Sequence, residues 1–340
     1  MTKFEAMMKT GLTTSSRLNA SGEIGKLVAE GQTILVASHV DPDGDSIGTQ
    51  LACAEFLDSL GKKVITPRDG GIPERYRFLP GIERVLPVDA ITSTETADAA
   101  IVLECPTLDR LGSVRQLLPE GIPIANIDHH LGNTWHGSVD WVDIRASSVG
   151  EMLYEYFDHA GAAITPTMAQ QLYTAIMTDT GRFRFESTTR RTLEIAGRLI
   201  ELGANPRELC DQIYFQMSSA TLKLIGKVLG GIEFFHDGKS CLLTLTLDMI
   251  REAGALPADA EGIVDYTLFS RDVIAGALLK ETNNGTTRVS LRSRNSVDIK
   301  SLAARYGGGG HLNASGCTVP AELGPAKEMV IELLREAVSG

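Results

Sequence analysis

The chain has 340 residues, of which 43% are hydrophobic and 22% are charged, as expected of an ordinary folded protein of about two domains. Its 43 acidic and 32 basic residues give a net charge of −11, which excludes a broad basic surface for long nucleic acid. The five cysteines are scattered without a C-x-x-C pair, which excludes a thiolate zinc site and favours a reducing cytoplasm. No apolar run reaches about 18 residues, so we expect neither a membrane span nor a secretion signal.

The first half of the chain alternates strand and helix patterns. Residues 1–20 predict a flexible arm, followed by a helix at about 22–30. Residues 33–38 (TILVAS) form a short, apolar, β-branched run that is typical of a strand buried on both faces of a parallel sheet. A helix with one apolar stripe should follow at 46–60. This alternation predicts a doubly wound α/β domain over residues 21–185. Further strands are predicted at residues 63–66, 99–103 and 123–127, and further helices at 149–160 and 167–177.

The second half begins with three consecutive helical patterns, which predict a helical connector over residues 186–230. Strand patterns then return, and a closing helix is expected near 324–338. Residues 231–340 therefore predict a second, smaller domain. The strands of that domain are predicted at residues 232–236, 240–246, 272–281 and 286–292. The predicted fold class is α/β, with a larger doubly wound, mainly parallel sheet domain and a smaller α/β domain joined by the helical connector.

The densest group of reactive side chains follows the first predicted strand. The segment SHVDPDGDS carries His39, Asp41, Asp43 and Asp45. Loops at the carboxyl ends of parallel strands line the ligand crevice of an open sheet, so these groups should converge there. A calcium-binding loop does not fit, because the glycine and the bidentate glutamate that it needs are absent at the required spacing from Asp41. A polar turn in which Asp45 or Ser46 caps the next helix remains the alternative.

Three more segments bring carboxylates or imidazoles to the same predicted edge. Glu104 ends the third strand, Asp128, His129 and His130 end and follow the fourth, and Asp179 ends a helix. Each of these has an ordinary structural explanation when taken singly, such as a capping Asp or a solvated Glu. Together they predict a metal site, because turns rarely bring so many metal-binding groups to one edge.

The predicted ligands combine carboxylate oxygens and imidazole nitrogens without thiolate. This combination favours manganese over structural zinc, with magnesium and cobalt as alternatives. The four carboxylates balance the charge of two divalent cations, and a pair of cations is the usual arrangement for phosphoester hydrolysis by an activated water. The six predicted ligands are His39, Asp43, Asp45, Glu104, His129 and Asp179.

A glycine run, GGGGHLNASG at residues 307–316, lies in the second predicted domain. Its spacing fits neither a P-loop nor a dinucleotide-binding fingerprint, but glycines let a backbone approach an anion closely. Just upstream, residues 286–306 carry four arginines and one lysine against one aspartate. Arginine can bind a phosphate through two parallel hydrogen bonds. A flexible hinge and a solvated strand face are the alternatives.

Four motifs now stand in order along the chain: the segment that begins at His39, the triplet Asp128-His129-His130, the segment DTGRF at residues 179–183, and the glycine run. Together they resemble the successive motifs of the DHH phosphoesterase superfamily with its DHH-associated C-terminal domain. Within that superfamily, the chain is most similar to the bifunctional oligoribonucleases and phosphoadenosine-phosphate phosphatases. The resemblance spans about residues 34–316.

The resemblance implies roles for individual residues. The predicted ligands would bind two manganese ions, and His130 would contact the scissile phosphate with Asp128 beside it. Glu104 departs from the family pattern, in which Asp is usual at this position, and we expect it to remain a ligand. A nucleophilic role for Cys105 is not expected, because a water serves as the nucleophile. The residues implied to bind substrate are Arg292, Gly308, Gly309, Gly310, His311 and Asn313.

The predicted function is a cytoplasmic, manganese-dependent phosphohydrolase that cleaves short oligoribonucleotides, removes phosphate from 3'-phosphoadenosine 5'-phosphate, or does both. Cyclic or linear dinucleotides and polyphosphate are alternative substrates. A nucleotide-binding sensor whose metal site is altered at Glu104 is the alternative that is not an enzyme. We expect a short nucleotide as the partner, not a long duplex or a membrane, and a homodimer is compatible with the sequence.

Overall fold

The computed structural model describes residues 14–91, 96–310 and 312–339. The chain divides into two compact units between Gln216 and Met217. The α-helices of the first unit are Thr14–Glu30 (α1), Gly44–Ser59 (α2), Val149–His159 (α3), Pro166–Asp179 (α4), Arg190–Glu201 (α5) and Pro206–Tyr214 (α6). Its strands are Thr33–Ala37 (β1), Lys63–Ile65 (β2), Pro67–Arg68 (β3), Leu86–Pro87 (β4), Ala99–Leu103 (β5), Ile124–Asp128 (β6) and Val139–Val142 (β7).

Five strands of the first unit form a parallel sheet in the order β2-β1-β5-β6-β7. From β1 the chain moves to β2 on one side and later returns to β5 on the other, so the order of the strands reverses between β1 and β5. Ligands bind in such open sheets at this switch point, outside the carboxyl ends of the strands. The predicted parallel α/β fold is therefore confirmed, and the switch point locates its crevice.

Alternate residues of the strands face two apolar layers. Ile34 and Val36 of β1 belong to the layer that includes all six α-helices, whereas Leu35 and Ala37 face the opposite layer. In the described part of the chain that second layer contains short 3-10 segments, such as Leu108–Leu117, in place of α-helices. The main core therefore lies between the sheet and the helices on one face.

The second unit contains a separate six-stranded sheet. Its strands are Glu233–Phe235 (β8), Ser240–Leu245 (β9), Ala275–Glu281 (β10), Thr287–Ser293 (β11), Gly309–Gly310 (β12) and Ala314–Val319 (β13). They lie in the order β12-β13-β11-β10-β9-β8. Among these described strands only β9 and β10 pair in parallel, and the other neighbours are antiparallel. Its α-helices are Ser219–Gly230 (α7), Leu247–Ala253 (α8), Lys300–Ala304 (α9) and Leu323–Ser339 (α10). No described helix has the length and apolar character needed to cross a membrane.

Two expectations about the ends of the domains differ from the structure. Residues 14–20 of the expected arm are the first turns of α1, and residues 1–13 lie outside the described part. Arg17 stabilises these turns, because its guanidinium lies 2.6 Å from the buried carboxylate of Asp143, a tertiary contact that no local pattern reveals. The predicted connector is divided by the boundary between the units: α5 and α6 pack on the core of the first unit, and α7 packs in the second.

Candidate active site

The switch point of the parallel sheet brings four of the predicted ligands together. His39 follows β1, Asp43 and Asp45 lie at the start of α2, and Glu104 directly follows β5. Each of His39, Asp43 and Glu104 offers one ligand atom, and these three atoms lie within 4.8 Å of one another. This spacing suits the coordination of a metal ion.

Two more groups with the same spacing share members with the first. Glu104, His129 and His130 form one, and Asp45, His129 and Asp179 form the other. Because Glu104 and His129 each belong to two groups, all six predicted ligands and His130 form one continuous cluster, which we call the metal cluster.

The N-termini of two helices hold Asp43 and Asp45 of the metal cluster in place. Asp43 caps α2 by accepting a hydrogen bond from the backbone N–H of Ser46 at 3.0 Å, so the cap expected at Asp45 or Ser46 lies earlier in the turn. Asp45 is fully buried and accepts from the backbone N–H groups of Val149 and Gly150, at 2.7 and 2.9 Å, where α3 begins. Carboxylates are stabilised at helix N-termini by these donors and by the helix dipole. Capping and membership of the cluster are therefore compatible, because Asp43 does both.

Close packing of α2 against α4 brings Asp179 to the cluster. A Cβ atom at Gly44 would lie 2.3 Å from Thr178 Oγ1, and one at Gly48 would lie 2.4 Å from the carbonyl oxygen of Gln171. No side chain fits into contacts this short, so only glycine permits this approach. Asp179, the last residue of α4, consequently lies within ligand distance of Asp45.

Backbone carbonyls orient the two histidines. His39 Nδ1 lies 2.6 Å from the carbonyl oxygen of Val40, and His129 Nδ1 lies 3.2 Å from that of Ala146. A carbonyl only accepts hydrogen bonds, so each Nδ1 carries a proton and each Nε2 turns towards Glu104, at 3.2 Å in both cases. A backbone carbonyl that holds one ring nitrogen while the other faces a metal is the usual support of a histidine ligand.

The electrostatics of the cluster show a shortage of positive charge. Burial lowers the pKa of His129, but its hydrogen bond to Glu104 and the charges of Asp45 and Asp179 outweigh burial and raise that pKa to about 10. Burial, opposed by His129 and reinforced by the charge of Glu104, raises the pKa of Asp179 to about 6. Burial and the charges of Glu104 and Asp179 raise the pKa of Asp45 well above its usual range. Protons bound to these side chains thus neutralise negative charge that metal cations could neutralise instead.

Glu104 provides a second sign that the site suits cations. Burial raises its pKa, but the imidazoles of His129 and His39 outweigh burial and lower that pKa to about 2, so Glu104 is a carboxylate. Its Oε2 atom is buried, and its 3.2 Å contact with His39 Nε2 lacks the alignment of a hydrogen bond; no other described residue donates to it. A buried anionic oxygen needs a partner, and the surrounding imidazole and carboxylate donors fit a divalent cation.

His130 is fixed by residues behind it. Asp128 Oδ1 accepts from His130 Nδ1 at 2.9 Å, and Asp128 Oδ2 accepts from the side-chain amide of Asn133 at 2.6 Å. Asn133 in turn accepts from the buried amide of Asn126 at 3.0 Å. The other ring nitrogen of His130 is available to a ligand, because the side chain is 42% exposed. Asn133 was not predicted, since nothing in its loop sequence marks it.

Arg110 and Cys105 complete the surroundings. Arg110 Nη2 lies 3.3 Å from His39 Nδ1, and because that nitrogen already donates to Val40, the exposed guanidinium leaves its donors available to an anion. Sequence reasoning missed Arg110, which lies in a 3-10 segment without a motif. Burial raises the pKa of the Cys105 thiol to about 12, which makes this neighbour of Glu104 a poor nucleophile.

The predicted substrate residues belong to the second unit. Gly309 and Gly310 form the short strand β12 on β13, so this part of the glycine run is paired and is not a free hinge. A Cβ atom at Gly308 would lie 2.1 Å from the carbonyl oxygen of Gly316, which requires glycine there. His311 lies outside the described residues.

Two other predicted substrate residues already have protein partners. Arg292 Nε donates to Asp265 Oδ1 at 2.7 Å. The side-chain amide of Asn313 donates to Ser293 Oγ at 2.8 Å and to the carbonyl oxygen of Asn295 at 2.9 Å. Asn313 therefore supports the loop after β11 with its donor atoms.

Known proteins resemble both units. The family described as DHH family, N-terminal domain, matches residues 33–176, and the DHHA1 domain matches residues 240–340. The bifunctional oligoribonuclease and PAP phosphatase NrnA of Thermus thermophilus is 32% identical over 315 residues, 90% of each chain. The protein of the same name from Bacillus subtilis is 31% identical over 302 residues, 87% of this chain and 92% of the relative.

A solved structure agrees with these relatives. The crystal structure of an exopolyphosphatase-related protein from Bacteroides fragilis has a TM-score of 0.85 and 27% sequence identity, and the match covers 96% of this chain and 97% of that one. Family, relatives and fold all match over most of the length. The chain therefore belongs to the DHH family and is a phosphoesterase.

Proposed function

We propose that the chain is a manganese-dependent phosphohydrolase that shortens oligoribonucleotides of a few residues and removes phosphate from 3'-phosphoadenosine 5'-phosphate. The observation that carries the proposal is the metal cluster, in which three linked groups of His and carboxylate ligands meet at the switch point of the sheet. The Thermus and Bacillus relatives are named for these two activities. In this proposal the first unit is the catalytic domain and the second unit binds substrate.

The metal cluster fits two cations through the placement of Glu104. Its two carboxylate oxygens point to different histidines, Oε1 to His129 and Oε2 to His39. It can therefore bind in both parts of the cluster. Two divalent cations held there would supply Lewis-acid activation of a water and neutralise charge on the phosphoryl group. The set of donor atoms, oxygen-rich and free of thiolate, favours manganese, with magnesium and cobalt as alternatives.

His130 is the proposed contact with the scissile phosphate. Burial lowers its pKa, but the hydrogen bond to Asp128 and the charge of Glu104 outweigh burial and raise it. A raised pKa favours the ring form that donates from both nitrogens, so His130 can bind Asp128 through Nδ1 and donate to a phosphoryl oxygen through Nε2. The guanidinium of Arg110, at the edge of the cluster, adds positive charge on the same side as His39.

Polyphosphate is the second candidate substrate, because the Bacteroides structure is described as exopolyphosphatase-related. Dinucleotides, cyclic or linear, are a third. For location we propose the cytoplasm, since all five cysteines are free. A homodimer stays a prediction.

A substrate panel tests the proposal. The purified chain is incubated with Mn²⁺ and, separately, 3'-phosphoadenosine 5'-phosphate, ribonucleotides of two to five residues, cyclic di-AMP and tripolyphosphate. We expect AMP and phosphate from the first and mononucleotides from the second. Asp45→Asn serves as the control, because it removes one carboxylate from the cluster and should abolish turnover. Cleavage of tripolyphosphate alone, or turnover that survives in Asp45→Asn, contradicts the proposal.

A further inference from the structure

Two cations of the second unit face each other across a pair of strands. Lys280 on β10 pairs directly with Arg288 on β11, and both side chains lie on the same face of the antiparallel pair. Like charges directly opposite each other destabilise such a pair. Within residues 217–310 and 312–339, neither side chain forms an ion pair or a hydrogen bond. The fold keeps this repulsion although the chain as a whole is acidic.

The environment of Lys280 shows the electrostatic consequence. Its side chain is partly buried, and burial lowers its pKa; the charge of Arg288 lowers it further, against a smaller opposing effect of Glu261. The nearby negative charge of Glu261 is therefore too weak to neutralise Lys280 and Arg288. An anion between the two side chains would relieve the repulsion and gain two charge-assisted hydrogen bonds.

A cavity of about 490 Å³ lies beside this pair of cations. Its lining, as far as the structure describes it, includes Lys280, Arg288, Ser290, Tyr306 and the glycine run at 307–309, and no carboxylate. This volume falls within the usual range for small-ligand pockets. Cβ atoms built at Gly307 and Gly309 would meet no described atom within 4 Å, so this wall of the cavity is bare backbone that a ligand can approach closely.

We propose that this cavity, the Lys280–Arg288 pocket, binds a phosphate of an oligoribonucleotide other than the one being cleaved. The inference rests on the proposed function and refines its substrate class. Arg292, the predicted substrate residue, lies on the same face four residues along β11, roughly 13 Å away at the rise of a strand. A phosphate bound by Arg292 would therefore leave the pocket free for a second phosphate of the same oligoribonucleotide. Tyr306 adds an aromatic ring on which a base can stack.

The test compares the full chain with the double variant Lys280→Met/Arg288→Met. Lys223→Met is the matched control, because it removes an exposed lysine of α7, in the same unit but outside the pocket. Two quantities are measured: KM and kcat with Mn²⁺ for a tetraribonucleotide and for 3'-phosphoadenosine 5'-phosphate, and Kd for a fluorescent tetraribonucleotide in EDTA at several salt concentrations.

We expect the double variant to raise Kd and KM for the tetraribonucleotide about tenfold, as removal of a charge-assisted hydrogen bond to phosphate does. The KM for 3'-phosphoadenosine 5'-phosphate should rise much less, because the only other phosphate of this ligand lies on the same ribose as the one removed and cannot reach a more distant pocket. The slope of log affinity against log salt should become shallower by about 0.7 for each phosphate that the variant no longer neutralises. Lys223→Met should match the original chain in all of these. A purely structural role of the pair would leave the salt slope unchanged.

If the original chain and the double variant have the same Kd and the same salt slope, the proposed binding of phosphate in this pocket is wrong, whichever substrates are cleaved. If the original chain cleaves none of the panel but binds the tetraribonucleotide through this pocket, the proposed function fails and the pocket stands. Should the double variant not fold, as judged by circular dichroism, Arg288→Gln alone gives the same readouts. That side chain is exposed, and its removal relieves the repulsion between like charges.

Discussion

Glu104 lies between the two histidines of the metal cluster and is anchored at a backbone φ of +57°. Residues other than glycine rarely adopt this backbone conformation, although Asn and Asp tolerate it better than Glu does. Strain of this kind concentrates at functional sites, where the surrounding structure enforces it. The strained backbone at Glu104 therefore agrees with the proposed functional role of its carboxylate.

Replacement of Glu104 separates charge from geometry. Glu104→Gln keeps the shape but removes the charge that His39 and His129 face, so we expect turnover to fall by about a hundredfold or more and Mn²⁺ affinity to fall by about tenfold or more. Glu104→Asp keeps the charge and suits the left-handed backbone, so we expect activity within about tenfold of the original. Steady-state kinetics and metal titration measure both. Full activity in Glu104→Gln would show that the carboxylate is not a ligand.

Protons held by the metal-free cluster give a second prediction at this scale. His129, with a pKa of about 10, carries an extra proton at neutral pH, and it must lose that proton before it can bind a metal. Metal binding should therefore release about one proton at pH 7 from this group, and affinity should rise with pH up to the raised pKa. Below about pH 6, Asp179 adds to the competition, because its raised pKa keeps it protonated there.

Isothermal titration calorimetry with Mn²⁺ in buffers of different ionisation enthalpy counts the released protons. His129→Gln is the control, and it should release about one proton fewer. Heats that do not depend on the buffer would contradict the charge balance of the cluster.

At the scale of elements, the packing of α2 on α4 determines whether Asp45 and Asp179 meet. Gly48→Ala places a methyl group against the backbone of Gln171, so the helices must separate. We expect a loss of about 1–3 kcal/mol in the free energy of unfolding and weaker Mn²⁺ binding. Urea denaturation and metal titration measure the two effects.

Gly25→Ala is the matched control, since Gly25 is also inside a helix but its added methyl would meet no described atom within 4 Å. That change should stabilise the chain by about 0.5–1 kcal/mol through helix propensity, with unchanged metal affinity. Equal metal affinity in Gly48→Ala and the original chain would show that this approach of the helices does not position the cluster.

Elements with strong local patterns were predictable, and those that depend on tertiary contacts were not. β1, β5 and β6 are short apolar runs, and α2 follows a turn rich in aspartates, so their positions follow from the sequence. β7, with the mixed pattern VDWV, forms a strand because it pairs with β6 at the edge of the sheet. The first turns of α1 likewise depend on the contact of Arg17 with Asp143.

At the scale of the whole molecule, the sequence predicts which side chains come together because the topology of a parallel sheet determines where its strands end. Residues that follow strands β1, β5 and β6 must meet at one edge, whatever the paths of their loops. Supporting residues such as Asn133 and Arg110 could not be predicted, because their partners lie in irregular segments whose paths only the folded chain reveals. The fold and the members of the metal cluster are thus easier to predict than the residues that orient them.

Loading the whole chain with manganese tests the two-cation cluster most directly. Electron paramagnetic resonance is recorded after two equivalents of Mn²⁺ are added and free metal is removed. We predict two bound ions per chain with an exchange-coupled spectrum, as expected of ions about 3.5–4 Å apart, and disappearance of the coupling in Asp45→Asn. Only the signal of isolated Mn²⁺, or fewer than one bound ion per chain, would contradict a paired metal site.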